Sequence, residues 1–264
     1  MRGKPSIPEM LLPGSGMDWC EQNYRYSYIF AEFFNTVSNL PLIVLPLLGI
    51  KLSSRYISQV NPAVKWVYVL MSFVGITSTY YHATLSLFGQ LLDELCLLWV
   101  SSASFGVWLP NLQGTPQWMK NNVVLVRWSL FVLTILASVL CLARPSVNAY
   151  VLMTVCIPAI GTLIRESRKR KCVDANGLLA AICFTWIVAL SVWISDRMMC
   201  SFWRNVGFPY LHAIWHVASA VASYQAIVAF SYFDASSRCP NLHPKIMQSP
   251  RSSLVKLPYV TLAS

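Results

Sequence analysis

The fold is decided by residues 64–109, VKWVYVLMSFVGITSTYYHATLSLFGQLLDELCLLWVSSASFGVWL, which hold two apolar runs around one short connection. The runs are Val64–Ala83 and Leu87–Leu109, and each approaches the roughly 20 residues that a helix needs to cross a bilayer. Backbone groups in lipid must find hydrogen-bond partners within the segment, so both runs are predicted to be helices. Because Thr84–Ser86 is so short, the two helices are expected to be antiparallel neighbours.

Further apolar segments lie on both sides of this hairpin. They are Tyr28–Leu52, Val123–Ala143, Val147–Ile164, Gly177–Ile194 and Tyr210–Phe233. Hydrophobic residues make up 56% of the 264 residues and charged residues 11%, whereas a soluble domain carries about 25% charged residues. We therefore predict an all-α fold in which residues 28–233 form a bundle of seven transmembrane helices. Pro41, Pro46 and Pro158 are expected to kink their helices.

The distribution of charge predicts how the bundle is oriented. Of the 20 Lys and Arg residues, 14 fall in the 1–2, 3–4 and 5–6 loops and in the C-terminal tail. Positive charge concentrates on the cytosolic side of membrane proteins, so residues 234–264 are predicted to be a cytosolic, flexible tail. With seven crossings, the segment 1–27 is then lumenal or extracellular. The net charge of +10 is explained by this orientation, and we expect no nucleic-acid partner.

Two cysteines fall on the non-cytosolic side in this topology. Cys20 lies in the N-terminal segment and Cys200 in the 6–7 loop. Disulfides form and persist in such oxidising compartments, so we predict a bond between these two thiols. Two unrelated thiols are the alternative, because a sequence does not show whether the required geometry exists.

Three of the four histidines fall at or within predicted membrane helices. His212 and His216 are spaced i, i+4, which places two imidazoles on one face of helix seven. His82 lies at the end of helix two, at the same depth as the start of helix seven. Three histidines at one depth predict a catalytic zinc site that keeps a fourth position for water or substrate. Separate, hydrogen-bonded core histidines are the alternative.

Two further polar residues fall near the predicted zinc level. Ser78 precedes His82 by four residues and shares its helix face, and Asp93 follows the hairpin connection. A carboxylate beside the metal is a common proton-transfer group in metal-assisted hydrolysis. The alternatives are that Asp93 only orients a histidine ligand and that Ser78 is a helix-packing hydroxyl.

Oxygen-bearing side chains crowd the N-terminal segment. Asp18, Glu21 and Asn23 lie there, and Glu32 follows in helix one. Hard oxygen donors at this density suit calcium, although the spacing is not that of an EF-hand. A solvated acidic segment is the alternative. Glu32 argues against it, because an ionisable residue at or within the membrane is expected to face the interior of the bundle.

Several of these motifs resemble the alkaline ceramidases, in particular those of the animal endoplasmic reticulum and Golgi apparatus. The matching segments run from about residue 17 to about residue 235 in the family's order, with a short match at the end. They are MDWCEQN (17–23), AEFFNTVSN (31–39), YYHATLSLFGQLLDE (80–94), WISDR (193–197), PYLHAIWH (209–216) and LPYV (257–260).

The resemblance implies seven membrane helices and hydrolysis of the ceramide amide bond to sphingosine and a fatty acid. The site residues that it implies are zinc ligands His82, His212 and His216, catalytic residues Ser78 and Asp93, and calcium ligands Asp18, Trp19 (through its carbonyl), Glu21, Asn23 and Glu32. It also implies the Cys20–Cys200 disulfide and an endoplasmic reticulum or Golgi membrane location. The expected partners are ceramide arriving from the bilayer and membrane lipid, with no obligatory protein partner.

Two other function classes fit parts of the pattern. A seven-helix receptor would use zinc to stiffen its bundle, would have a closed metal shell and would turn over no lipid. A transporter would line a path with the polar residues of helix one, but we find no inverted-repeat pattern of broken helices. The residues alone favour a metal-dependent hydrolase, and the resemblance favours it further.

Overall fold

The computed structural model describes residues 14–144, 147–170, 173–250 and 256–262. About half of the predicted 1–27 segment therefore lies outside the described residues. The α-helices are α1 (Phe33–Val37), α2 (Leu40–Leu52), α3 (Ser54–Gln59), α4 (Val64–Thr84), α5 (Leu87–Trp108), α6 (Gln117–Asn121), α7 (Val123–Ala143), α8 (Asn148–Arg170), α9 (Val173–Met198), α10 (Cys200–Val206) and α11 (Leu211–Arg238). Two strands follow, β1 (Pro244–Gln248) and β2 (Pro258–Leu262).

The helical hairpin predicted from residues 64–109 is confirmed, with α4 and α5 packed against each other. Leu85 ends α4 in the left-handed conformation, at φ 48°, and its N–H donates to the carbonyl oxygen of Tyr81. Ser86 then caps α5 by accepting the N–H of Gly89 at 3.1 Å. A capping serine satisfies an N–H that the first turn of a helix leaves free, so the chain reverses within three residues.

Helix α4 also runs antiparallel to α2 along most of its length. A Cβ atom on Gly75 would lie 2.7 Å from the Ile43 side chain, and one on Gly49 would lie 2.5 Å from the ring of Tyr68. Glycines let helix backbones approach closely, which is how membrane helices commonly pack. The two contacts place the start of α2 beside the second half of α4 and the end of α2 beside its first half.

A helix occupies each of the seven predicted apolar segments. Within the part of the chain that the structure describes, six helical stretches are long and apolar enough to cross a membrane. These six are Phe33–Leu52, Leu87–Asn111, Val123–Ala143, Tyr150–Arg170, Ala175–Met198 and Leu211–Arg238. Six such helices are typical of a multi-pass membrane protein. Helix α4 is not among them, because its buried face carries Ser72, Thr77, Ser78 and His82.

Helix one begins later than predicted. The apolar pattern predicts a helix from Tyr28, but α1 begins at Phe33, and the chain turns at Ser38 and Asn39 before α2. Pro41 therefore sits in the first turn of α2, where a proline costs no hydrogen bond and does not kink the helix. Pro46 and Pro158 lie inside α2 and α8.

The expectation that the tail has no fold of its own is wrong for the described residues. Helix α11 continues to Arg238, and β1 pairs antiparallel with β2 from Pro244 opposite Leu262 to Gln248 opposite Pro258. Val260 and Leu262 belong to the buried core, and the Tyr224 hydroxyl of α11 donates to the carbonyl oxygen of Pro258 at 2.8 Å. Burial of these apolar side chains holds the tail against the bundle.

The two faces of β2 give a test of this packing. Val260 is fully buried, whereas the neighbouring Thr261 is half-buried on the opposite face. Val260→Asp is expected to lower the free energy of unfolding by roughly 3 kcal/mol, because it buries an unpaired charge. Thr261→Asp is the matched control and should change it by less than about 1 kcal/mol. Thermal unfolding in detergent would measure both, and equal effects would contradict the packing.

Candidate metal centre and its neighbours

Three buried histidines meet at one end of the bundle. His82 ends α4, and His212 and His216 lie one turn apart at the start of α11. One nitrogen from each ring lies within 4.8 Å of the others, and all three side chains are buried. The structure therefore brings together the three residues that the spacing predicts, and this group could hold a metal ion.

Two of the imidazoles are oriented by neighbours in the N-terminal part of the chain. Glu32 Oε2 lies 2.6 Å from His82 Nδ1, and Ser38 Oγ lies 2.8 Å from His216 Nδ1. A hydrogen bond at Nδ1 leaves Nε2 free to ligate a metal, and such partners commonly fix the ring and its tautomer. Ser38 is missed by the sequence reasoning because it lies in the turn between α1 and α2, which the apolar pattern does not predict.

The third imidazole is held by a stacked ring and by its own backbone. The rings of Trp19 and His212 stack with centroids 3.5 Å apart, and the N–H of His212 donates to Asp196 Oδ1 at 3.3 Å. Nδ1 of His212 is buried and has no hydrogen-bond partner within the described part of the chain. A buried imidazole nitrogen without a partner is costly, so a metal ligand role fits this donor set.

The predicted catalytic residues are neighbours across the hairpin. Ser78 lies one turn before His82 on the buried face of α4. The Asp93 carboxylate on α5 lies close enough to the Ser78 hydroxyl for the two groups to interact. The structure thus pairs Ser78 with Asp93, next to the helix turn that carries His82.

The N-terminal segment is tied to the bundle beside the histidines. The predicted disulfide is present, with the Cα atoms of Cys20 and Cys200 5.3 Å apart. The N–H of Cys20 donates to Asp196 Oδ2 at 3.1 Å, and Arg204 donates to the carbonyl oxygen of Cys20 at 3.0 Å. Asp196 is buried and joins this segment to His212.

The predicted calcium ligands are brought near one another but already have protein partners. Asn23 Nδ2 lies 3.5 Å from Asp18 Oδ1, and both residues are exposed. The buried Glu21 accepts the N–H groups of Phe34 and Asn35 at 2.7 and 2.8 Å. Burial raises the pKa of Glu21, the two N–H groups lower it, and the nearby Glu32 carboxylate raises it again.

Unpaired oxygens in this cluster fit a hard cation. Glu32 Oε1 and Asn35 Oδ1 are buried, with no hydrogen-bond partner among the described residues. Asp18 and Glu32 are close enough to influence each other electrostatically. A bound cation would relieve that repulsion and satisfy free oxygens of this kind, and hard divalent cations prefer oxygen ligands.

Comparison with known proteins gives one family. The model of the Ceramidase family matches residues 12–261. An alkaline ceramidase of Caenorhabditis elegans is 39% identical over 94% of this chain and 93% of its own length. The human protein named alkaline ceramidase 1 is 36% identical over 94% of both chains. An alkaline ceramidase of Drosophila melanogaster is 38% identical over 96% of this chain and 90% of its own.

The hydrogen bonds at the two Nδ1 atoms predict metal affinity. Glu32→Gln and Ser38→Ala should each weaken binding of Zn²⁺ by about 10–100-fold, because loss of such a partner frees the ring to rotate. Competition with a chelating dye on the purified protein would measure the affinity. Ser236→Ala is the control, since its hydroxyl donates within α11 to the carbonyl oxygen of Tyr232. Unchanged affinity in both test variants would show that these contacts do not orient ligands.

Proposed function

This chain belongs to the alkaline ceramidase family and is a ceramide amidohydrolase, and we propose that it is zinc-dependent and acts within the membrane. The observation that carries the proposal is the buried group His82, His212 and His216 next to the Ser78–Asp93 pair. Hydrolysis would release sphingosine and a free fatty acid.

His82, His212 and His216 would hold the zinc ion. Three protein ligands with an open fourth position are typical of catalytic rather than structural zinc. When bound, zinc supplies a Lewis acid that polarises the amide carbonyl and makes water more acidic. Glu32 and Ser38 would keep two of the rings in position through their Nδ1 atoms.

Asp93 would move the proton in the reaction. Its carboxylate accepts a proton from the attacking water while the water oxygen bonds to the amide carbonyl carbon. The carbon–nitrogen bond then breaks, and Asp93 returns the proton to the departing nitrogen, which leaves as the amine of sphingosine. The carboxylate is regenerated, and the oxygen of the water remains in the fatty acid.

Ser78 would act at two stages with its single O–H donor. At rest the hydroxyl lies near the Asp93 carboxylate and would help to keep that acceptor in place. Once Asp93 is protonated, it no longer attracts the donor as strongly, and the hydroxyl can turn to the oxygen of the amide. A hydrogen bond that forms as negative charge develops there is typically worth about 3 kcal/mol in the transition state.

The site would lie in a seven-helix bundle of the endoplasmic reticulum or Golgi membrane. Helix α4 is long enough to cross the bilayer and runs antiparallel between α2 and α5. Such packing supports its crossing with them, with its polar face turned to the bundle interior. An odd number of crossings puts the N-terminus on the lumenal side and the basic C-terminal side in the cytosol. Ceramide would enter from the surrounding lipid.

Calcium would hold the N-terminal segment in place and take no part in the chemistry. Asp18, the Trp19 carbonyl, Glu21, Asn23 and Glu32 are the proposed ligands. Glu32 also contacts His82, and Trp19 stacks on His212. A cation in this cluster would therefore stabilise the same segment that orients the histidines.

Removal of the proposed reacting groups tests the mechanism. Ser78→Ala, Asp93→Asn and His216→Ala should each lower fatty-acid release from ceramide by at least about 100-fold, the loss typical of a missing transition-state contact. Purified, folded protein would be assayed by mass spectrometry. Thr79→Ala is the matched control, because its hydroxyl donates to the carbonyl oxygen of Gly75 in its own helix.

The outcomes separate enzyme from receptor. Near-normal release by Ser78→Ala and His216→Ala would contradict the assigned roles. Stoichiometric zinc in wild-type protein without any fatty-acid release would favour a metal-stiffened receptor. Zinc-free protein with full activity would remove the metal from the mechanism.

The calcium proposal makes a separate prediction. Added Ca²⁺ should raise both the thermal unfolding midpoint and the activity of wild-type protein. Asn23→Ala should raise the half-maximal calcium concentration about tenfold, since affinity follows the number of oxygen ligands. Gln22→Ala, at the adjacent exposed position, is the control and should behave like wild type. Identical calcium responses in Asn23→Ala and wild type would exclude the side chain as a ligand.

A further inference from the structure

An apolar cavity lies inside the bundle, apart from the residues of the metal centre. It is partly open to its surroundings, and about 850 Å³ within it and in front of it is not filled by protein atoms. It is bordered by α4, α5, α8, α9 and α11. None of the residues that line it is a histidine or a carboxylate. Its position and its walls fit a hydrocarbon chain that leaves the reacting amide.

The cavity continues the helix faces that carry the proposed reacting groups. On α4, Met71 precedes Ser78 by seven residues, and on α5, Val100 follows Asp93 by seven. On α11, Ile227 follows the histidine at position 216 by eleven. Residues seven and eleven apart share one face of an α-helix. On each of the three helices, the proposed reacting group and a cavity-lining residue therefore lie on the same face, with the cavity further along the helix axis.

Three hydroxyls in the cavity wall already donate within their own helices. Ser101 donates to the carbonyl oxygen of Leu97 at 2.8 Å, and Ser104 donates to that of Val100 at 2.7 Å. Thr162 on α8 donates within its own helix in the same way. These hydroxyls therefore have no free donor for a ligand. The first carbons of a sphingoid base carry hydroxyl groups, whereas the acyl chain of ceramide is pure hydrocarbon beyond its carbonyl, so the wall suits the acyl chain.

Two stacked aromatic rings line the cavity on the side away from the histidine group. Trp108 and Phe230 have ring centroids 5.4 Å apart and lie 12° from parallel, and both are buried. Trp108 lies fifteen residues beyond Asp93, which is roughly 22 Å along the helix axis. Phe230 lies fourteen residues beyond His216, or roughly 21 Å.

A buried polar network holds the Trp108 side chain in place. The indole N–H of Trp108 donates to the Tyr56 hydroxyl at 3.4 Å, and Tyr56 donates to Asp234 Oδ2 at 2.7 Å. Asn61 and Arg238 also donate to the Asp234 carboxylate, each at 2.9 Å. A fully bonded buried network resists displacement, so a longer chain cannot easily push the indole aside.

We propose that Trp108 and Phe230 form the floor of an acyl-chain pocket and set the longest fatty-acyl chain that this enzyme accepts. The proposal deepens the ceramide hydrolysis argued above and rests on it for the identity of the ligand. Both residues act by their volume and lie far from the reacting atoms. Their replacement should therefore change the chain-length preference and leave the chemistry of shorter substrates intact.

Two substitutions should change the depth of the proposed pocket in opposite directions. Trp108→Ala lowers the floor and should raise kcat/KM for tetracosanoyl-ceramide relative to octadecanoyl-ceramide by about tenfold, the scale of selectivity set by pocket depth. Ala226→Leu adds volume part-way along the cavity and should lower octadecanoyl relative to dodecanoyl substrate by about tenfold. Trp128→Ala removes an exposed tryptophan on α7 and is the matched control with an unchanged profile.

A binding experiment separates this proposal from the proposed function. The affinities of dodecanoic, octadecanoic and tetracosanoic acid would be measured on the same folded proteins, by protein fluorescence. A shift in preferred length with Trp108→Ala and Ala226→Leu supports the floor, even for a wild-type protein that released no fatty acid. Unchanged acyl-length profiles in Ala226→Leu and in folded Trp108→Ala would overturn it. A shift with the length of the sphingoid base, and not with the acyl chain, would overturn it as well.

Discussion

The contact between Glu32 and His82 is the interaction on which the site depends. Glu32 Oε2 lies 2.6 Å from His82 Nδ1, and the Glu32 N–H donates to the His82 carbonyl oxygen at 3.0 Å, so side chain and backbone both join the two segments. Both side chains are buried, and removal of one partner would leave a buried polar group unsatisfied, which costs about 1–3 kcal/mol. The same contact fixes the approach of the N-terminal segment to α4. The Glu32–His82 contacts therefore do two things at once: they attach the N-terminal segment to the bundle, and they orient a candidate metal ligand.

The N-terminal segment also contacts the other two imidazoles. Asp196 accepts N–H groups from both Cys20 and His212, and Trp19 stacks on the ring of His212. The disulfide joins this segment to α10, close in sequence to α11. Residues 19–38 thus contact every histidine of the trio, although none of these residues belongs to the helices that carry the histidines. A metal centre built this way would depend on the Cys20–Cys200 disulfide and on a cation held by the N-terminal segment.

The sequence predicts the parts of this structure that depend on local spacing. Two histidines four residues apart on a helix must share a face, and a three-residue connection forces its two helices to be antiparallel neighbours. The depth of that hairpin then places the third histidine at the same level. The tail was mispredicted because its proline and basic residues indicate disorder, whereas Val260 and Leu262 find an apolar surface on the bundle. Ser38 and Asp196 were missed because their roles come from tertiary contacts with His216 and His212. Such tertiary contacts leave no regular residue spacing in the sequence, so an analysis of hydrophobic periodicity or motif spacing does not detect them.

The faces of α4, α5 and α11 that point into the bundle are polar at one end and apolar further along. This division would allow one bundle to provide both a reactive site and a selective pocket. The ends of α4, α5 and α11 that meet at the histidine group bring polar side chains together, which lipid tolerates only where they are mutually satisfied or bound to an ion. Two to three turns further, the same faces turn apolar, and the hydroxyls of Ser101 and Ser104 donate within their own helix. An amphipathic lipid has the same order of groups, with an amide head and a hydrocarbon chain. In the proposed function, the polarity gradient along the helices would place the amide at the histidine group, because the opposite orientation would bury a polar head among apolar side chains.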